Sequence, residues 1–341
     1  MRLIKKVPDL QMIAGDYFLN EQQQARRKDL ITEIQRILDG QDHRKLLIVG
    51  PCSADREDAV LEYAERLAGL KETVKDIFLV IPRIYTSKPR TNSLGYKGLL
   101  HRPNPDTESD DLLKGLIATR RMHYRVITET GLFSADEMLY PDVFYYYMDL
   151  VCYAAVGARS VENQQHRLVA SGLDIPVGMK NPTSGDLKVM LNAISAARHA
   201  NSMIFHAWIA ETEGNPYAHA ILRGYEDING NIYPNYHYEN ICKLYDLFQS
   251  FSISKPSVIV DCNHSNSAKH HDEQIRIAED VIANCSRSKA INGFVKGLMI
   301  ESYLLDGNQM IGAGVYGKSI TDPCLGWEKT EKLILGLAER M

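Results

Sequence analysis

The chain has 341 residues, of which 45% are hydrophobic and 24% charged. That balance excludes extended disorder and allows one large core or two smaller ones. A net charge of -4 and a pI near 6.3 exclude partners that need a dispersed positive field, so neither nucleic acid nor an anionic membrane surface is expected.

The first residues, MRLIKKVPDLQMIAGDYFL, contain no long apolar run and no small-residue cleavage pattern. Neither a signal peptide nor a membrane span is expected, and the compartment is expected to be the cytoplasm. Cys52, Cys152, Cys242, Cys262, Cys285 and Cys324 lack CxxC spacing and are expected as reduced thiols. The run EQQQARRKDLITEIQRILDG (21–40) reads as a helix closed by Gly40. Residues 1–44 then form an N-terminal extension, and 45–341 the catalytic unit.

From residue 45 onward, short apolar or β-branched runs alternate with segments of helical period. The strand candidates are KLLIVG (45–50), IFLVIPRIY (77–85), YRVITET (124–130), YAAVGARS (153–160), PVGMK (176–180), MIFHAWIAE (203–211), SVIVDCNH (257–264) and FVKGLMIES (294–302). Helices are expected over 56–70, 109–122, 140–152, 162–172, 184–200, 235–249, 271–285 and 326–341, where apolar residues recur at spacings of three and four. Eight strand–helix units with right-handed connections close most simply into a (β/α)8 TIM barrel of the α/β class, with an open doubly wound sheet as the alternative.

A barrel of this kind carries its chemistry at the C-terminal strand ends. Reactive residues do gather there, in VGPCS, RIYTSKPRT, ITETG, GARS, GMKN, DCNHSNSAK and MIES. Arg83, Lys88, Arg90, Arg159, Lys180 and Arg223 follow expected strand ends. Six cations on one face are more than one dianion needs and fit a site for two anionic groups. Cys52, His264, Glu301 and Asp322 form a second group. A thiolate, an imidazole and two carboxylates suit a divalent metal such as Zn, Mn, Fe or Co, provided the barrel brings strands one, seven and eight together. Other signals are weaker. GAGVYGK has no βα context for a dinucleotide and no P-loop pattern, VFYYYMDL reads as core or subunit packing, and HRPNP reads as a turn.

The motifs GPCS, KPRT followed by GYKGL, GARSVENQQHR, VGMKNPTSGD, HAILRG, DCNHSNSAK, ESYLLDGNQ and YGKSITDPCLGW together resemble the microbial class I synthases of 3-deoxy-D-arabino-heptulosonate 7-phosphate, from about residue 44 to the end. The resemblance implies a transferase that condenses phosphoenolpyruvate with erythrose 4-phosphate, releasing phosphate, as the first step of the shikimate pathway to chorismate and aromatic amino acids. Carried onto this chain, it implies metal ligation by Cys52, His264, Glu301 and Asp322. Phosphoenolpyruvate would lie against Arg83, Lys88, Glu137, Arg159, Lys180 and Arg223, and erythrose 4-phosphate against Arg90 and Thr91. Lys88 and His264 would be the catalytic pair, and a homodimer or homotetramer is implied. Feedback-inhibited relatives carry Ser where this chain has Asp174, and the region before GPCS is shorter here, so inhibition by aromatic amino acids is expected to be weak or absent. A sister class that uses arabinose 5-phosphate and a non-catalytic sugar-phosphate-binding barrel are the alternatives; KPRT and YGKSITD favour the four-carbon aldose.

Overall fold

The computed structural model describes residues 1–90, 95–106 and 110–341. Two helices precede the first barrel strand, α1 (Leu10–Ala14) and α2 (Glu21–Asp39). Asn20 and Gln23 satisfy each other's backbone amides in a capping box, and Gly40 ends α2 in the left-handed conformation at φ 75°. Arg27 on α2 donates to the carbonyls of Met148 and Val151, which ties the extension to the barrel.

The remaining elements follow in order: β1 (Lys45–Gly50), α3 (Glu57–Val74), β2 (Phe78–Pro82), α4 (Leu112–Thr130), β3 (Ser134–Glu137), α5 (Pro141–Phe144), β4 (Val151–Val156), α6 (Gln164–Ala170), β5 (Val177–Lys180), α7 (Leu187–Arg198), β6 (Asn201–Phe205), β7 (Trp208–Thr212), β8 (Ala218–Leu222), β9 (Tyr225–Glu226), β10 (Ile232–Tyr233), α8 (Tyr238–Ser250), β11 (Val258–Asp261), α9 (Glu273–Arg287), α10 (Lys289–Phe294), β12 (Val295–Glu301) and α11 (Trp327–Glu339). Eight parallel strands run in the order β2-β1-β12-β11-β8-β5-β4-β3. A parallel bridge between Arg83 and Ala135 joins the two ends of that sheet, so the barrel closes. Every residue of these eight strands is buried, as strands covered on both faces by side chains and helices must be.

Two strand expectations are corrected. YRVITET lies in the second half of α4, which is capped by Asp111, continues the apolar spacing of Leu116, Met122, Val126 and Ile127, and stops at Gly131 with φ 70°. Burial of that helical face outweighs the β propensity of Val-Ile-Thr. The third strand is instead the short, polar SADE of β3, whose Asp136 accepts from Thr86 and faces His123 of α4 at 3.2 Å. MIFHAWIAE, the expected sixth strand, forms the antiparallel hairpin β6–β7 outside the barrel. Its turn has positive φ at both His206 (47°) and Ala207 (63°), the pattern of a tight hairpin turn. Ile204, Trp208 and Ile209 are 80%, 76% and 85% exposed, which a barrel strand would not permit. The sixth barrel strand is β8, which overlaps the start of HAILRG. The expected helix over 140–152 is also cut short: α5 spans four residues and Val151 and Cys152 begin β4.

Candidate active site

Each barrel strand delivers one polar side chain to the same end. Cys52 follows β1, Arg83 follows β2, Glu137 ends β3, Arg159 follows β4, Lys180 ends β5, Arg223 follows β8, His264 follows β11 and Glu301 ends β12. Asp322 comes from the long segment after β12, and Lys88 and Arg90 from the segment after β2. Thr91 lies outside the described residues. A cavity of about 110 Å³ is lined by Arg83, Lys88, Arg90, Glu137, Arg159, Lys180, Arg223, His264 and Asp322. His264 and Asp322 of the second group therefore line the same cavity as the cations, while Cys52 and Glu301 are fully buried beside it.

The donor group is compact. Ligand atoms of Cys52, Glu301 and Asp322 lie within 4.8 Å of one another, and His264 Nε2 is 3.7 Å from Glu301 Oε1. The Cys52 thiol donates to Asp322 Oδ2 at 3.5 Å. Lys88 Nζ sits 2.7 Å from Cys52 Sγ and 3.0 Å from Asp322 Oδ2, so a cation already touches two of the four donors. A soft sulfur, an imidazole and two carboxylates in this arrangement fit a borderline divalent ion. His264 itself has φ 52°, a left-handed conformation that costs a residue with a Cβ about 1–2 kcal/mol. Its surroundings hold it there: Ser265 N donates to Arg223 O and Lys269 N to His264 O.

Burial governs the protonation states. It pushes the Cys52 thiol up to about 11, helped by the negative charge of Glu301, so at neutral pH the group is a thiol. Burial opposes the charge on Lys88, but the carboxylates of Asp322 and Glu301, with the hydrogen bond to the Cys52 sulfur, outweigh that cost and hold the ammonium. Asp322 and Glu301 show the converse. Burial raises both carboxyls, yet Lys88 and His264 hold Asp322 well below the usual range, and Arg83 does the same for Glu301. Burial also lowers the His264 imidazole despite Asp261.

The cationic wall is anchored from behind. Arg83, fully buried, donates Nη2 to Glu301 Oε1 at 2.8 Å and Nη1 to the Pro51 carbonyl, and its guanidinium lies 3.6 Å from the centre of the Tyr85 ring. Lys180 Nζ is 3.3 Å from Asp261 Oδ2 and 3.9 Å from Glu137 Oε2. Arg223 donates to Ser265 Oγ at 3.1 Å, and burial lowers its pKa, as does the like charge of Arg159. The Nε–H groups of Arg83 and Arg223 are buried without a protein acceptor, which is the disposition of groups waiting for an anion. A Cβ at Gly157 would stand 2.4 Å from Glu137 Oε1, so any larger residue there would displace that carboxylate.

Sequence reasoning did not single out Asp261, Asn263, Tyr85 or Lys269. Lys269 Nζ lies 3.1 Å from Asp322 Oδ1. Asp261 Oδ2 lies 2.9 Å from His264 Nδ1 without the alignment of a hydrogen bond. The signal was present in DCNHSNSAK, where polar residues stand at a strand end that a barrel core would otherwise fill with apolar ones.

Residues 21–334 match the DAHP synthetase I family. The chain is 39% identical over 311 residues to the Trp-sensitive phospho-2-dehydro-3-deoxyheptonate aldolase of Enterobacter agglomerans, covering 89% of this chain and 86% of that one. It is 38% identical over 313 residues to the Phe-sensitive enzyme of Escherichia coli K12, with the same coverage. The solved phospho-2-dehydro-3-deoxyheptonate aldolase of Francisella tularensis superposes with a TM-score of 0.92 at 32% identity, over 100% of this chain and 98% of that one. Eight strand ends converging on one chamber, and a sequence match running through nearly the whole barrel, lead to the same conclusion: this chain belongs to the DAHP synthetase I family.

Proposed function

We propose that the chain condenses phosphoenolpyruvate with erythrose 4-phosphate and water to give 3-deoxy-D-arabino-heptulosonate 7-phosphate and phosphate, the first step of the shikimate pathway. The observation that carries this reading is the cavity lined by Arg83, Lys88, Arg159, Lys180 and Arg223 together with Asp322, whose carboxylate is grouped with Cys52 and Glu301. Arg83, Lys88, Arg159, Lys180 and Arg223 bind the phosphate and carboxylate of phosphoenolpyruvate, with Glu137 beside them; Arg90 and Thr91 take the phosphate of the aldose. These charges offset the mutual repulsion of two anionic substrates that must come into contact.

Cys52, His264, Glu301 and Asp322 hold one divalent ion, Mn, Fe, Co or Zn, which when bound supplies Lewis acidity toward the aldehyde oxygen. Lys88, charged and within reach of both Cys52 and Asp322, donates a proton to the alkoxide that forms when C3 of phosphoenolpyruvate adds to C1 of the aldose. His264 assists that transfer. The arginines stabilise charge on the departing phosphate.

The enzyme works as a homodimer or homotetramer. Support comes from the hairpin β6–β7, where Ile204, Trp208 and Ile209 each offer about 1.5–3 kcal/mol on burial. The extension of residues 1–44 contributes contacts or regulation. Among the described residues no helix is long and apolar enough to cross a membrane.

The test measures phosphate released from phosphoenolpyruvate with and without erythrose 4-phosphate, before and after chelation, with arabinose 5-phosphate as the competing aldose. Release that needs erythrose 4-phosphate and is abolished by the chelator supports the reading. Release independent of the aldose, or faster with the pentose, overturns it.

A further inference from the structure

Asn263 stands next to a candidate metal ligand, yet neither the substrates nor the metal reading gives it a task. It is fully buried, and all its polar groups are engaged. Its backbone N–H donates to Asp261 Oδ1 at 3.0 Å. Its side-chain Nδ2 donates to Glu301 Oε2 at 2.6 Å, and its Oδ1 accepts from Ser267 Oγ at 2.7 Å. The amide orientation is determined by chemistry. An ionised carboxylate only accepts, so the NH2 must face Glu301, which leaves the carbonyl oxygen to be met by a hydroxyl donor. Ser267, one turn further along, is that donor.

Glu301 is thus gripped from two sides, by Arg83 at Oε1 and by Asn263 at Oε2. Arg83 also lines the cavity. Asn263 is not among the residues that line the cavity, and its side chain is engaged by Glu301 and Ser267. A buried carboxylate held by an amide at a set angle presents a defined lone pair to its other neighbours, here the donors of Cys52 and Asp322 within 4.8 Å. Asp261 lies 2.9 Å from His264 as a charge contact without a hydrogen bond, so within the stretch Asp261–Ser267 it is Asn263 that holds a donor, Glu301, by a hydrogen bond.

We propose that Asn263, itself held by Ser267, is a positioning residue that aims Glu301 at the divalent metal. This rests on the metal reading above. Supporting partners of this kind change metal affinity about 10–100-fold when lost.

The experiment titrates Co2+ into chelator-treated protein, following the thiolate-to-cobalt absorption band and the binding isotherm, without substrate. Asn263→Leu, of similar volume and without a donor, should weaken binding about 10–100-fold; Asn263→Ser, which keeps a donor, should fall between the two. Ser267→Ala should weaken binding in the parent and have no effect in the Asn263→Leu background, because it acts only through the amide. Circular dichroism and urea midpoints of the metal-free proteins separate a positioning loss from misfolding; if Asn263→Leu fails to fold, the Asn263→Ser and Ser267→Ala pair decides. Binding within twofold of the parent in the folded variants, or additive effects of the two changes, overturns the proposal while leaving the metal site intact. A parent that binds no Co2+ refutes both readings.

Discussion

The buried ion pair between Arg83 and Glu301 makes a quantitative prediction. Both side chains are at most 1% exposed and lie 2.8 Å apart. At an effective dielectric of about 20, their attraction is about 6 kcal/mol, most of which offsets the cost of burying two charges. Removing one partner removes the attraction and leaves the desolvation cost of the other. Arg83→Met should therefore destabilise the metal-free protein by about 3–5 kcal/mol, including the lost stacking on Tyr85 and the carbonyl of Pro51 left without its donor. Glu301→Gln added to Arg83→Met should restore about half or more of the loss, because no uncompensated charge remains. Excess Mn2+ should likewise rescue Arg83→Met but not the double variant, since a divalent ion re-pairs only a carboxylate. The assay is urea unfolding at pH 7 with chelator or with metal, comparing midpoints at unchanged slope. A loss under about 1 kcal/mol for Arg83→Met, or strictly additive single and double variants, would refute the account of Glu301 as a carboxylate that must be paired.

Cys52→Ser keeps the shape of the side chain but removes the soft donor; metal affinity and turnover should fall together with circular dichroism unchanged, and a variant with full metal and full turnover would eliminate Cys52 as a ligand. Arg159→Ala should weaken phosphoenolpyruvate binding in a titration while leaving metal content unchanged, whereas Arg90→Ala should act mainly on the aldose. His219 is buried neutral, with Nδ1 toward the Tyr217 carbonyl and Nε2 toward the Tyr153 hydroxyl, and burial lowers it to about 4. The unfolded chain then binds the extra proton between pH 4 and 6.5, so about 3 kcal/mol of stability present above pH 6.5 is lost as pH falls to 4. His219→Gln should flatten that part of the urea-midpoint profile, and identical profiles for parent and variant would refute it. Inhibition by Phe, Tyr or Trp should be weak or absent if Asp174, paired with Arg27 at 3.1 Å, places a carboxylate where the resemblance implies Ser in feedback-inhibited enzymes; strong inhibition of the parent, measured against Asp174→Ser, would sink that expectation.

The sequence by itself determined the barrel, the end of it at which the polar side chains gather, and most of the charged residues that line the cavity there. Alternation of buried runs and amphipathic helices encodes layers, and a Cys, His or Arg after a buried run stands out because apolar packing there would favour something else. It did not determine which runs are strands where local preference and burial disagree. MIFHAWIAE is rich in strand formers and forms strands, but in a hairpin outside the barrel; SADE looks like a loop and is a barrel strand because helix α4 and its neighbours cover it. Only the tertiary structure decided the supporting contacts. Asn263 and Glu301 are 38 residues apart, and Arg83 and Glu301 218 apart. No local pattern reports such pairs, since it is the strand order β2-β1-β12-β11 that brings those strand ends within reach of one another. The same packing sets the cations beside the cluster of Cys52, Glu301 and Asp322, although in sequence they are two unrelated sets.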